Sequence, residues 1–143
     1  MPDAIVFFLA PDDDAAAAAH RGGPQHRFAS VRGRWFDPDD AVADWSAHFA
    51  DDPAAPPGTR VVVPLTNDGS ETFALPPRLT RALSRATPED LHHLAARWTA
   101  RLRAEDGEDM TDDDLPALLR ALTRLATTAV TTGGHLYCWY ADL

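Results

Sequence analysis

The segment His135-Leu-Tyr-Cys-Trp-Tyr140 limits the folds that this sequence can adopt. It follows Gly133-Gly134, and its residues alternate between two sets that are both largely apolar or aromatic. Alternation after a glycine stop is typical of a β-strand. A strand with two apolar faces must be covered on both sides, so we expect this segment to be part of a sheet and not a frayed tail.

Two helical patterns precede this strand. Thr87-Pro88-Glu89-Asp90 combines an N-cap hydroxyl, a first-turn proline and two acids. Its apolar stripe has helical spacing: Leu91, Leu94, Trp98 and Leu102. The second pattern starts within Thr111–Asp114, carries Pro116 in its first turn, and ends at Gly133-Gly134. Two amphipathic helices joined by a short polar loop predict a C-terminal antiparallel helix hairpin.

The first half of the chain supplies strands. The apolar run Ile5–Leu9 predicts a buried strand that neighbours the final one at the centre of the sheet. Pro64, near the end of the valine-rich Arg60–Leu65, predicts an edge position or a bulge, and Glu71–Leu75 can pair back onto that strand. We expect an α+β fold in one domain spanning 1–143. It would have a mixed sheet of about four or five strands with the helix hairpin packed on one face.

Charge and cysteine content narrow the classes of function. The formal net charge is −9, and all 13 basic residues are arginine. Such a chain repels nucleic acid and favours a basic protein partner. Cys138 is the only cysteine, which rules out an internal disulfide. The run Ile5–Leu9 is too short for a signal peptide or a membrane span, so we expect a cytoplasmic protein that does not contact a membrane.

The common catalytic and cofactor motifs are missing from the sequence. It has no glycine-rich phosphate loop and no Gly-x-Ser-x-Gly elbow. Side chains of His92-His93 diverge by about 100° on a helix, and His135 and Cys138 face opposite sides of one strand. The acidic loop 105–109 departs from the calcium-loop pattern. We therefore predict no cofactor, no metal and no catalytic residue, and we lean away from an enzyme.

Aromatic and arginine side chains supply the candidate binding residues, because Trp, Tyr and Arg concentrate binding energy at interfaces. Trp35, which lies beside Arg32 and Arg34, is the best candidate. Tyr137 and Trp139 follow if the last strand lies at a sheet edge. His92, which Glu89 precedes by three residues, is a weaker addition.

Two hypotheses for function follow. The first is a protein–protein interaction module, such as an inhibitor, immunity-type or adaptor protein, that binds a partner with a basic surface or self-associates. The alternative is a small enzyme or ligand-binding domain with a pocket near the helix hairpin. That pocket would gather a histidine from each half of the chain and an aspartate; the candidate histidines are His20, His26, His92 and His93.

Overall fold

A computed structural model describes residues 4–33, 36–50, 59–106 and 114–142 of the chain. These residues form strands, α-helices and one short 3-10 turn at Pro24–His26. In chain order the strands and α-helices are β1 Ala4–Ala10, α1 Asp13–Ala18, β2 Ser30–Gly33, α2 Pro38–Phe49, β3 Arg60–Val63, β4 Ser70–Ala74, α3 Pro77–Arg85, α4 Pro88–Asp106, α5 Asp114–Thr132 and β5 His135–Ala141.

The strands make one five-stranded sheet in the order β2-β1-β5-β4-β3. Every neighbouring pair is antiparallel, so the expectation of a mixed sheet is wrong. The reason is connectivity: β5 enters beside the end of β1, with His135 opposite Ala10, and runs back against both neighbours. The predicted pairing of the first and last strands is confirmed. β3 lies at an edge, and its register shifts between Val61 and Val63.

One face of the sheet packs against α2, α3, α4 and α5 and holds the main core. Phe7 and Cys138 point into this core from the sheet. Trp45 of α2 and Trp98 of α4 meet there edge to face, with ring centroids 5.0 Å apart. Both indoles are almost fully buried, as the helical spacing of the sequence predicts.

Local caps explain where the helices begin and end. Thr87 and Asp90 bond reciprocally at the start of α4: Asp90 N donates to Thr87 Oγ1 at 3.1 Å, and Thr87 N donates to Asp90 Oδ2 at 2.9 Å. Gly133 ends α5 with a φ of 72°. The C-terminal helix hairpin is not confirmed, because the last helix is followed by β5 and residues 107–113 lie outside the described residues.

The opposite side of the sheet, which we call the second face, carries a thinner layer. The six-residue α1 and the 3-10 turn lie over it, and Ala16 packs with Phe8 and Tyr137. Alanine side chains let α1 approach the sheet closely, but they bury little apolar area. This thin layer positions the polar residues described next. Among the described helices, none has both the length and the apolar character needed to cross a bilayer.

Candidate functional site

His20 joins the end of α1 to β4. It follows Ala19, the C-cap of α1, and its side chain is buried against the second face. Nδ1 lies 2.6 Å from Thr72 Oγ1, and Nε2 lies 2.9 Å from Ser70 Oγ. Ser70 and Thr72 share this face because they are two positions apart on a strand. Burial lowers the pKa of His20, opposed by the charge of Asp68, so the ring favours its neutral form.

Asp68 determines the direction of the hydrogen bonds in this chain of side chains. Its Oδ1 accepts from Ser70 Oγ at 2.5 Å and from Ser70 N at 3.1 Å, and also accepts from Thr66 Oγ1. These bonds, those of Ser70 first, lower the pKa of Asp68 to about 2, so it is ionised at neutral pH. An ionised carboxylate only accepts.

The charge of Asp68 then determines which atom donates in each hydrogen bond from Asp68 through Ser70 and His20 to Thr72. Ser70 donates its hydroxyl proton to Asp68, so Ser70 Oγ can only accept from His20 Nε2–H. His20 Nδ1 then carries no proton and accepts from the hydroxyl of Thr72. In an acyl-transfer triad the carboxylate instead bonds the histidine, which accepts the serine proton. Here Nε2 already holds a proton, so His20 is not placed to activate Ser70 as a nucleophile.

A cavity of about 890 Å³ opens beside this chain of hydrogen bonds. It reaches from the second face around the ends of β1, β2 and β5 to the first half of α5. Ser70 and Asp68 form part of its wall, so the His20 chain supports one side of the cavity. Other polar lining residues are Gln25, Arg32 and Trp139; apolar ones include Val6, Phe36, Leu115, Leu118 and Ala121.

Two residues that line the cavity each have a buried polar atom without a hydrogen-bond partner in the described part of the chain. The two atoms are the indole Nε1 of Trp139, a donor, and Oε1 of Gln25, an acceptor. An unsatisfied buried polar atom costs about 1–3 kcal/mol. A ligand that draws these two side chains toward the cavity would remove that cost by accepting from the indole and donating to the amide.

A second polar cluster lies over β5 near the start of α1. Tyr137 donates its hydroxyl proton to Asp13 Oδ1 at 2.8 Å. Arg60 forms a bidentate ion pair with the same carboxylate. Burial, and then the bond to Asp13, raise the pKa of Tyr137. These bonds hold α1 against β3 and β5, so we interpret the cluster as a structural clamp.

The predicted binding residues separate into four groups. Arg32 and Trp139 line the cavity. Tyr137 is fully buried and β5 is the central strand, so the condition under which Tyr137 was named, an edge position of the last strand, is not met. His92 is exposed on α4 and is absent from the described cavity lining. Trp35 and Arg34 lie outside the described residues.

The structure brings only one of the predicted histidines into the site. His20 bonds Ser70, whereas His26 and His93 are exposed. Cys138 is fully buried, and burial raises the pKa of its thiol. Within the described ranges, no three His, Cys, Asp or Glu side chains form a group that could hold a metal ion.

Sequence reasoning missed Ser70, Thr72, Gln25 and Asp68. Their signal was present in part. Ser70 and Thr72 alternate with Glu71 and Phe73 along a strand, so they had to share one face, and Thr72 had to find a partner once that face was covered. The partner, His20, is 52 positions away, beyond the reach of any local pattern. Comparison of the chain with protein-family models, curated proteins and solved structures found no match.

Proposed function

We propose that this domain binds a small organic ligand in the cavity beside His20, Ser70 and Asp68. The observation that carries the proposal is a cavity of about 890 Å³ whose wall combines a mostly apolar lining with a few polar residues, among them Arg32, Asp68 and Ser70. Ligand sites are typically concave, mostly apolar and of about 300–1,000 Å³, with a few convergent polar groups.

Binding is favoured over catalysis by the order of the hydrogen bonds. Asp68 holds the Ser70 proton and leaves His20 as a donor toward Ser70. This arrangement fixes the cavity wall but provides no activated nucleophile. The proposal develops the ligand-binding alternative, with His20 and Asp68 as its histidine and aspartate. We also retain the antiparallel pairing of α4 and α5 as a proposal, supported by the contacts between these helices.

The test is a fragment screen by NMR on the whole chain, observed through the indole N–H of Trp139. Assignment of that resonance comes from Trp139→Phe. Ala117 is exposed on α5 and lines the cavity, so Ala117→Trp should obstruct it without disturbing the core. Val130→Trp, on the exposed side of the same helix away from the lining residues, is the matched control.

We expect fragments that shift the Trp139 indole and its neighbours in the wild type and in Val130→Trp, but not in Ala117→Trp. Fragment binding that persists unchanged in Ala117→Trp, or a screen with no shifts at the cavity, would overturn the proposal.

A second candidate function, the protein interaction module, is supported by the edge strand β3. Val61 is 57% exposed and Leu65 is 67% exposed, and the edge leaves backbone groups available to a partner strand. Light scattering over a range of concentrations tests the self-association form of this function. Val61→Lys with Leu65→Lys should abolish any dimer, and Val130→Lys should not; a chain that stays monomeric at every concentration argues against self-association.

A further inference from the structure

The two charged side chains of the cavity lie on opposite sides of its floor. Strand pairing places Arg32, Val6, Trp139 and Thr72 in one row across the second face, on β2, β1, β5 and β4 in turn. Three strand spacings of about 4.8 Å separate the ends of this row by about 14 Å. Arg32 stands at one end and Thr72 at the other, and Asp68 lies four positions before Thr72, in the turn that precedes β4.

Both charges are available to a ligand. Arg32 is exposed and has no carboxylate within ion-pair distance in the described part of the chain. Asp68 is exposed too, and all its described hydrogen bonds arrive at Oδ1, so Oδ2 is left to accept. The described residues also place no cation within ion-pair distance of Asp68.

The floor between the two charges is largely apolar. Val6, Ala4 and Ala141 belong to it, and Trp139 also lines it. A ligand body over this floor must therefore be apolar or aromatic. An anionic acceptor on the ligand, at the Arg32 end, can accept from the guanidinium.

We infer that the ligand is an elongated dipolar molecule whose cationic nitrogen group binds Asp68 and whose anionic oxygen group binds Arg32. An apolar body joins the two groups and lies on Val6 and Trp139. This inference rests on the proposed function, because it specifies what the same cavity takes. Because Asp68 lies beyond the end of the row, the strand spacing places the charges of the ligand on the order of 10 Å or more apart.

Matched probes separate the contributions of the charges. The dipolar probe is the aminomethyl derivative of biphenyl carboxylate. Aminomethyl biphenyl carries only the cation, biphenyl carboxylate only the anion, and hydroxymethyl biphenyl neither. Affinities are measured by NMR titration of the Trp139 indole and of the cavity amides. We expect the dipolar probe to bind about tenfold or more tightly than either singly charged probe, since hydrogen bonds between charged groups are the strong ones.

Two variants assign each charge to its partner. Asp68→Asn keeps an acceptor for the turn but removes the charge, and should reduce the dipolar probe to the affinity of biphenyl carboxylate. Arg32→Gln should reduce it to the affinity of aminomethyl biphenyl. Glu89→Gln and Arg78→Gln, both at exposed positions on helices outside the cavity lining, are the charge-matched controls and should change nothing. Arg32→Gln tests the inference even if Asp68→Asn disturbs its turn.

The outcomes distinguish this inference from the function on which it rests. Equal binding of the charged and neutral probes at the Trp139 indole would overturn the dipolar assignment and leave ligand binding in place. Loss of dipolar advantage in the control variants would overturn it as well. Fragments that fail to bind the cavity in the screen described above would overturn both.

Discussion

His20 and Thr72 lie 52 positions apart in the sequence, and their side chains meet at 2.6 Å in the buried layer between α1 and the sheet. Thr72 is fully buried, so its hydroxyl depends on His20, and His20 Nδ1 depends on that hydroxyl. The pair therefore couples the attachment of α1 to the wall of the cavity.

Replacing Thr72 with valine should destabilise the domain by about 1–3 kcal/mol, because the buried Nδ1 of His20 loses its donor. Urea unfolding followed by circular dichroism measures the change. Thr127→Val is the control: its hydroxyl bonds only the backbone of its own helix at an exposed position, so the free energy of unfolding should change by less than about 0.5 kcal/mol. Equal stability of Thr72→Val and the wild type would contradict the dependence of the two side chains on each other.

The stability contributed by His20 should depend on pH. Burial lowers the pKa of His20 in the folded chain below its usual 6.5. The unfolded state therefore takes up the proton first, and the free energy of unfolding falls as the pH falls below that value. The stability advantage of the wild type over His20→Gln should shrink as the pH drops from about 7.5 to about 5.

Urea titrations at several pH values measure this difference. His48 also has a pKa lowered by burial, and then by Arg97, so wild-type curves alone do not isolate His20. His48→Gln is the control variant, and it should keep the part of the pH dependence that belongs to His20. A stability gap between wild type and His20→Gln that stays constant across this range would refute the prediction.

Removing the hydroxyl of Tyr137 should lower the free energy of unfolding more than removing the charge of Arg60. Tyr137→Phe loses a hydrogen bond to Asp13 from a fully buried ring, about 1–2 kcal/mol. Arg60→Gln breaks an ion pair whose side chains are 59% and 44% exposed, and exposed pairs contribute about 0–1 kcal/mol. Thermal unfolding of the two variants gives the ranking. The reverse order would show that the ion pair of Arg60, and not the hydrogen bond of Tyr137, contributes more to holding α1 on the sheet.

Gly69 and Gly22 provide a matched pair for the turn that carries Asp68. Both have a φ of +81°, so alanine is strained at either position. At Gly22 a Cβ meets nothing within 4 Å, whereas at Gly69 it lies 2.7 Å from the carbonyl oxygen of Asp142. Gly22→Ala should cost about 1–2 kcal/mol, and Gly69→Ala clearly more, as measured by urea unfolding. Equal losses would mean that the turn shifts to accommodate the methyl group.

The sequence predicted those parts of the fold that have local causes. Helix α4 begins at Pro88 because the four consecutive residues Thr87 to Asp90 form its cap, and Trp98 is buried because its helix has a clear apolar stripe. β5 was recognisable because both of its faces are apolar. The antiparallel order was not predictable, since it depends on which end of β1 receives β5.

The candidate site was harder to predict for the same reason. Arg32 and Trp139 were singled out as arginine and aromatic residues, but their shared row across the sheet follows from strand register. His20 was one of several candidate histidines. Its selection depends on α1 being alanine-rich and lying close to β4, which brings the imidazole to Ser70 and Thr72. Such convergence of distant segments leaves no periodic trace in the sequence.

The central position of β5 has a consequence for how the chain acquires its structure. During synthesis β1 emerges first and β4 follows, but the strand that joins them is made after α5. Until then the inner edges of both strands are open and can capture other nascent chains. Assembly of the sheet is therefore a late, long-range step, and a chain interrupted before Gly134 would expose two unpaired edges to aggregation and proteolysis.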